Sequence, residues 1–351
     1  MMNASSKNVL DLTTDELRKR LTALSIEPYR AEQVLQWIYE KGVYDFNKMT
    51  NLSVPLRAQL EEHFTIGMPE TVERQNSGDD KSVKLLLKLK DGDLVEAVQM
   101  SVENRRTVCI SSQVGCKFHC AFCASGQAGF FRNLSMGEIM AQILAARDES
   151  PDKKITNIVF MGIGEPFDNY TEMMRTIRQL NAKTGLGLGA RRITISTCGI
   201  VPKIEQLAKE GLQVELSVSL HGATDTVRGA IMPVNKAFPV KPLIEACKKY
   251  SKATKRVITF EYILIGGVNA SIRDARELGK LLKGMLCKVN LIPYNPIEEF
   301  PHEAPPYHEI VAFQQTLQDL GIKTTVRFSK GQDIQAACGQ LRSVRLKKVV
   351  K

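Results

Sequence analysis

From residue 112 onward the chain alternates short β-rich runs with longer helical runs, and no other feature constrains the fold as much. Strand candidates are 155–161, 192–197, 212–220, 256–264, 287–293 and 322–328. Helix candidates interleave with them at 135–149, 169–182, 200–210, 240–253, 271–284 and 306–320. Repeating βα units imply a parallel sheet covered by helices. In α/β barrels the reactive residues gather at the C-terminal strand ends. The candidate residues fall there: Glu165 after the first strand, Ser196 at the second, Ser219 and His221 at the third, and Asn295 beyond the fifth. The expected fold class is therefore α/β, a partial (βα)6 TIM-like barrel over 112–345.

A short loop just before the first of these helices supplies the chemistry. The run GCKFHCAFC places Cys116, Cys120 and Cys123 in the spacing C-x3-C-x2-C. Soft thiolates suit iron, and a cubic 4Fe-4S cluster wants four ligands. Three local thiolates leave one iron open. That iron can chelate the amino and carboxylate groups of S-adenosylmethionine (SAM), whose reductive cleavage yields a 5′-deoxyadenosyl radical. A zinc site is the competing reading, with His119 the only close fourth ligand. Downstream, ITNIVFMGIGE reads as a buried strand entering a Gly-rich turn. There Gly164 offers a backbone edge and Glu165 a carboxylate for the SAM ammonium. A tight turn with a solvated glutamate is the plainer alternative.

The rest of the chain sets the context. Residues 1–80 read as a small helical accessory domain. Its TTDELRKRLTAL run offers Thr13 as N-cap with Glu16 three residues on, a capping box. Residues 81–111 alternate in a β pattern around KDGD, a hairpin signal. Alternation alone leaves Glu96 of that hairpin facing solvent. Cys198, Cys247 and Cys287 sit in apolar surroundings and are expected in the core. A net charge of +10 favours a polyanionic partner. Basic clusters occur at Arg105–Arg106, at Arg191–Arg192 and in the tail, of which 346–351 forms the last unit. No apolar run approaches a bilayer span, the N-terminus lacks a signal-peptide core, and eight cysteines at metal and catalytic spacings suit a reducing cytoplasm.

A second cysteine pair narrows the class. Cys109 lies in TVCISSQVGC and Cys338 in DIQAACGQL. With CISSQVGCKFHCAFCASGQAGFFRNLSMGEI, FMGIGEP, RRITIST, SVSLH and VNLIPYNP, the chain resembles the RlmN/Cfr family of radical-SAM RNA adenine methyltransferases. The resemblance reaches the N-terminal YRAEQVLQWIYEKGVYDFNKMTNLS, and Pro166 in GIGEP resembles the adenine-C2 (RlmN) branch more than the C8 (Cfr) branch.

The resemblance implies a mechanism and a set of roles. Cys338 takes a methyl group from one SAM, and a second SAM supplies the radical that activates it, so two are used per turnover. The carbon adds to C2 of adenosine in 23S rRNA or tRNA, and Cys109 releases the product by forming a disulfide with Cys338. Glu96 matches the family's proton acceptor, with Cys109 the competing base. SAM contacts fall on Gly164, Glu165, Ser196, Ser219, Leu220, His221 and Asn295, and Phe122 packs beside the SAM adenine or within its own loop. The cluster ligands are Cys116, Cys120 and Cys123, and the reductant is an electron donor such as flavodoxin or ferredoxin. C8 methylation, a glycyl-radical activase and a zinc-bearing RNA-binding protein remain the alternatives.

Overall fold

The computed structural model describes residues 6–150, 152–342 and 344–345. The basic tail at 346–351 lies outside the described residues.

Ten strands run through one sheet in simple sequence order: β1 (Glu70–Asn76), β2 (Ser82–Lys88), β3 (Asp93–Val102), β4 (Arg105–Cys109), β5 (Asn157–Phe160), β6 (Ile193–Thr197), β7 (Glu215–Ser219), β8 (Ile258–Leu264), β9 (Cys287–Pro293) and β10 (Thr324–Val326). An eleventh, Val344–Arg345, pairs antiparallel with β3. Strands β1 to β4 are antiparallel neighbours. From β4 to β10 every pairing is parallel. Six helices fill the crossovers: Met136–Asp148, Tyr170–Asn181, Val201–Leu207, Val240–Thr254, Ile272–Leu282 and Tyr307–Asp319. This is the expected α/β fold with six βα units. The sheet has an added feature. Strand β4 belongs to the flanking hairpin on one edge and opens the parallel set on the other, with Cys109 opposite both Val98 and Val159.

The parallel strands are buried because helices cover them. Strand β8, ITFEYIL, is buried at every position, including Glu261. Helix Ile272–Leu282 shows how local sequence sets an element. Ser271 accepts the Asp274 N–H at 3.2 Å, and the Asp274 carboxylate returns to Ser271 N at 3.1 Å. Its inward face then presents Ala275, Leu278 and Leu282.

The N-terminal unit packs three helices, Thr14–Ala23, Arg30–Tyr39 and Val54–His63. The Thr13–Glu16 capping box forms as expected. Leu17, Leu21, Val34, Leu35 and Ile38 share one continuous apolar core with the barrel. Arg147 staples the two parts, donating to the Tyr39 carbonyl at 2.5 Å and the Tyr44 hydroxyl at 2.8 Å. Within the segment expected to be helical, Glu70–Asn76 instead forms the edge strand β1.

Candidate active site

The three-cysteine loop is launched by a two-stranded ribbon, Gln113–Gly115 against Phe130–Asn133. Gly115 sits at φ +77, and a Cβ there would lie 1.8 Å from the Gly129 carbonyl oxygen, so no side chain fits. The loop closes on itself through Cys116 N–H to Gly129 O at 2.8 Å and Cys123 N–H to Cys120 O at 3.1 Å. A helical turn, Ala124–Gln127, follows. His119 directs Nδ1 at the Gly126 carbonyl, 2.9 Å away, and is thereby held within its own loop. Among the described residues, no three histidine, cysteine or carboxylate side chains converge as a single ion requires. The loop is thus no ready-made tetrahedral zinc site.

Burial pushes all three thiols up, Cys116 to about 12, with the neighbouring thiols adding to the rise of Cys116 and Cys120 and Cys338 adding to that of Cys123. Such a trio becomes thiolate only around strong positive charge. Cationic iron supplies it, so the donor set fits an iron–sulfur cluster.

The loop forms one wall of a cleft at the C-terminal strand ends. Gly164, Glu165, Ser196, Ser219 and His221 line the facing wall. The Glu165 carboxylate is buried yet fully held: Oε1 accepts Phe167 N–H at 3.0 Å and Oε2 accepts Cys198 N–H at 2.7 Å. Its backbone N–H donates to Gln113 Oε1 at 2.9 Å. Burial raises its pKa, opposed by these donors. Far from a solvated turn glutamate, it is a buried carboxyl group held by two backbone donors at the cleft wall. His221 has φ 56 and accepts Ile263 N–H on Nδ1 at 3.0 Å. Burial, then the Arg228 charge, lowers it to about 3, so it is a neutral imidazole. Phe122 packs edge-on against it at 4.8 Å.

Two of the expected SAM contacts, Leu220 and Asn295, are not in the cleft lining. The Leu220 side chain is in the main core, its N–H donating to Glu261 O and its carbonyl accepting from Gly222. Asn295 braces a different segment, donating to Ser329 Oγ at 2.9 Å and to the Cys338 carbonyl at 3.2 Å.

That segment carries Cys338 back across the cleft. Gly339 O accepts Ala124 N–H at 2.7 Å, and Leu341 O accepts Ser125 Oγ–H at 2.6 Å. Cys338 therefore lines the same cleft as the three-cysteine loop. Cys109 lies behind it in an apolar cluster with Val98, Val159, Ile163, Ala336 and Leu341. Burial, then the neighbouring Cys338, pushes the Cys109 thiol up to about 12. The expected Cys109–Cys338 disulfide is not a bond of this structure. Both are free thiols, Cys109 in its apolar cluster and Cys338 on a separately tethered segment.

Glu96 is buried, contrary to the solvent-facing reading. Its Oε1 pairs with Lys84 Nζ at 3.3 Å, and its Oε2 accepts Arg342 N–H at 2.8 Å. Of the three cysteines expected in the core, Cys247 is fully buried there and Cys287 packs against it. Cys198 is buried but lines the cleft.

Two cleft residues escaped the sequence reading. Glu261 faces the cleft from mid-β8, with Oε1 held by Ser217 and Asn290 at 3.2 Å each and Oε2 unpartnered. Arg327, one residue past β10, lies 3.9 Å from the Met161 sulfur. An acid inside an apolar strand and a cation at a strand's C-terminal end were the available signals.

Gly164 offers a direct test of the facing wall. It has φ +99, and a Cβ would sit 2.5 Å from Gln113 Cβ. Gly164→Ala must move the turn that aims Glu165. A displacement near 1 Å can cost on the order of a hundredfold in rate. The expected result is a large loss of SAM affinity in equilibrium binding, with a near-normal circular dichroism spectrum.

Comparison with known proteins agrees with this geometry. Residues 7–66 match the ribosomal RNA large subunit methyltransferase N-terminal domain, and 110–279 match the radical SAM superfamily. A probable dual-specificity RNA methyltransferase RlmN of Clostridium tetani is 47% identical over 335 residues, covering 95% of each chain. One from Thermotoga neapolitana is 47% identical over 339 residues, covering 97% of this chain and 98% of its own. The crystal structure of a radical SAM methyltransferase from Sphaerobacter thermophilus superposes with a TM-score of 0.93 at 45% identity, covering 96% of this chain and 99% of that one. With identity of this degree along nearly its full length, the chain belongs to the RlmN family of radical-SAM dual-specificity RNA methyltransferases.

Proposed function

We propose that this chain methylates C2 of an adenosine in 23S rRNA and in tRNA through an S-methylcysteine at Cys338. One observation carries the reading: Cys338 shares a cleft with the three-cysteine loop, and Cys109 packs in an apolar cluster with Ala336 and Leu341, on either side of Cys338 in the chain, close enough to feel its charge. A site that only generated a radical would need no such pair.

Adenine C2 is an electrophilic amidine carbon and cannot attack a SAM methyl. A methyl group destined for C2 must first be parked on a nucleophile of the protein. Cys338, at the cleft wall, would take that role. Cys116, Cys120 and Cys123 would hold the cluster, and Glu165, Ser196, Ser219 and His221 would seat SAM. When bound, the cluster and SAM supply an electron and a hydrogen-abstracting adenosyl radical. Neutral His221 adds no charge to a pocket that receives a cationic sulfonium.

The covalent RNA–enzyme adduct must then lose the C2 proton. The competing acceptors differ sharply in character. Cys109, raised to about 12, is a protonated thiol at neutral pH and a poor base. Glu96 is also raised by burial, yet Lys84 and the Arg342 N–H oppose that shift. These environments favour Glu96 as proton acceptor and leave Cys109, once it has lost its own proton, to attack the Cys338 sulfur. The transient disulfide forms as the bond from that sulfur to the product carbon breaks, the carbon taking up a proton as the product methyl group and the adduct's unpaired electron passing back to the bound cluster. The target base must be unpaired or flipped to enter the cleft. Among the described residues no helix is long and apolar enough to cross a membrane. A low-potential donor such as flavodoxin or ferredoxin would supply the electron.

The test is anaerobic reconstitution with SAM and unmodified RNA, followed by chromatography and mass spectrometry of the nucleosides. The expected product is 2-methyladenosine, with deuterium lost from adenosine labelled at C2. Retention of that label with 8-methyladenosine formed would place the reaction at C8. No methylated adenosine from either RNA would refute the substrate.

A further inference from the structure

We propose that Lys84 is a positioning residue that keeps the Glu96 carboxylate ionised and couples it to the segment carrying Cys338. The inference rests on the reading of Glu96 as proton acceptor.

Lys84 of β2 lies opposite Val98 of β3, and Glu96 lies opposite Leu86. With side chains alternating along each strand, Lys84 and Glu96 are diagonal neighbours on one face. Both are about nine-tenths buried, at 10% and 11% side-chain exposure. Lysine is almost never fully buried unless it is paired. Lys84 Nζ lies 3.3 Å from Glu96 Oε1 and also 3.5 Å from the Gln335 carbonyl, three residues before Cys338. Glu96 Oε2 accepts the N–H of Arg342, four residues after Cys338. One ion pair thus holds the cysteine segment on both sides. The same face carries Cys109, opposite Val98. Proton acceptor, resolving thiol and methyl-bearing segment are therefore registered on a single patch of sheet.

Among the described residues, no other cation is placed to substitute. The charged groups around Glu96 are Lys84 from β2, Glu73 from β1 and Arg342 from the C-terminal segment. The Arg342 guanidinium is committed to Glu299 through bonds of 2.6 and 2.9 Å. Without Lys84, burial and the Glu73 charge push the Glu96 carboxyl further up. A base works only when deprotonated, so its acid limb must move to higher pH.

The experiment compares reconstituted full-length wild type, K84M, K84R and E96Q with SAM and RNA under anaerobic conditions. Three readings are taken: the cluster absorbance, methylation of Cys338 by intact-protein mass spectrometry, and the rate at which the covalent RNA adduct resolves as a function of pH. K84M is expected to keep the first two. It should resolve the adduct about tenfold more slowly at neutral pH and recover as pH rises, while E96Q loses roughly a hundredfold at every pH, the scale of a lost general base. K84R should restore most of the rate. E96Q stalling while K84M keeps the wild-type rate and acid limb would overturn the role of Lys84 alone. An equal loss in K84M and K84R without a pH displacement would assign it to packing and likewise overturn it. Wild-type turnover by E96Q would overturn the Glu96 assignment and the Lys84 role with it.

Discussion

Cys109→Ala should trap the chain on its RNA, whereas Cys338→Ala should leave the RNA untouched. The two cysteines occupy different positions around one cleft, and the difference predicts different failures. Cys338 is at the cleft wall, held by its own carbonyl through Asn295 and by Gly339 through Ala124. Those tethers are backbone contacts, so alanine keeps the segment in place and removes only the sulfur. Such a variant should still assemble its cluster and carry no protein-bound methyl. Cys109 lies in an apolar cluster where alanine costs a small cavity and one hydrogen bond to the Met161 backbone. It should still allow methylation of Cys338 and addition to RNA. Release needs a second thiol to attack the Cys338 sulfur, and among the described residues the apolar cluster beside Cys338 holds no other cysteine. The adduct should therefore persist through denaturing electrophoresis, with turnover falling to the background of any slow hydrolysis. Intact-protein mass spectrometry after one turnover distinguishes the two outcomes. Normal turnover by Cys109→Ala would remove its resolving role.

The parallel part of the fold was legible because its residues obey local rules. Strand β8 is an apolar run of strand length, and the helix after it starts with a capping box. The antiparallel flank was less legible for a physical reason. Strand β1, ETVERQN, is polar and exposed nearly throughout, so no periodicity marks it. It becomes a strand by pairing with β2. Glu96 misled for the opposite reason. Alternation predicts a wet face, but β3 is buried at every position from Asp93 to Gln99. The returning C-terminal segment covers the face that alternation would leave open.

The site divides along the same line. The three-cysteine loop and the Gly164–Glu165 turn are contiguous in sequence, and their chemistry could be read from spacing. Cys338 sits in an irregular segment held by single hydrogen bonds to Asp80, Ser125 and Asn295, none of which a pattern announces. Only the family resemblance pointed to it. Asn295, expected to touch SAM, here spends both amide N–H donors on Ser329 and the Cys338 carbonyl, and its oxygen accepts from Gln332 at 2.7 Å. Arg327 and Glu261 were missed because a cation after a three-residue strand and an acid within an apolar one look like exceptions until the cleft assembles them.

The second large effect belongs to Cys120. Its thiol is half-buried at the cleft beside Cys116 and Cys123, and burial followed by those neighbours holds it well above its ordinary range. A thiol with two others beside it has no structural partner to lose, because the loop is closed by backbone bonds from Cys116 and Cys123 to carbonyl oxygens. Cys120→Ala should thus fold and melt much like the wild type. What it removes is one of three anchors for a group whose fourth iron has none from the loop. Reconstituted wild type should hold about four irons per chain, and Cys120→Ala should retain little iron, lose the cluster absorbance and cleave no SAM. Cys247→Ala, which empties a thiol from the core, provides the control: it should cost stability yet keep iron and SAM cleavage. Full SAM cleavage by Cys120→Ala would remove the cluster from this loop, and with it the chemical reason for Cys338 to stand where it does.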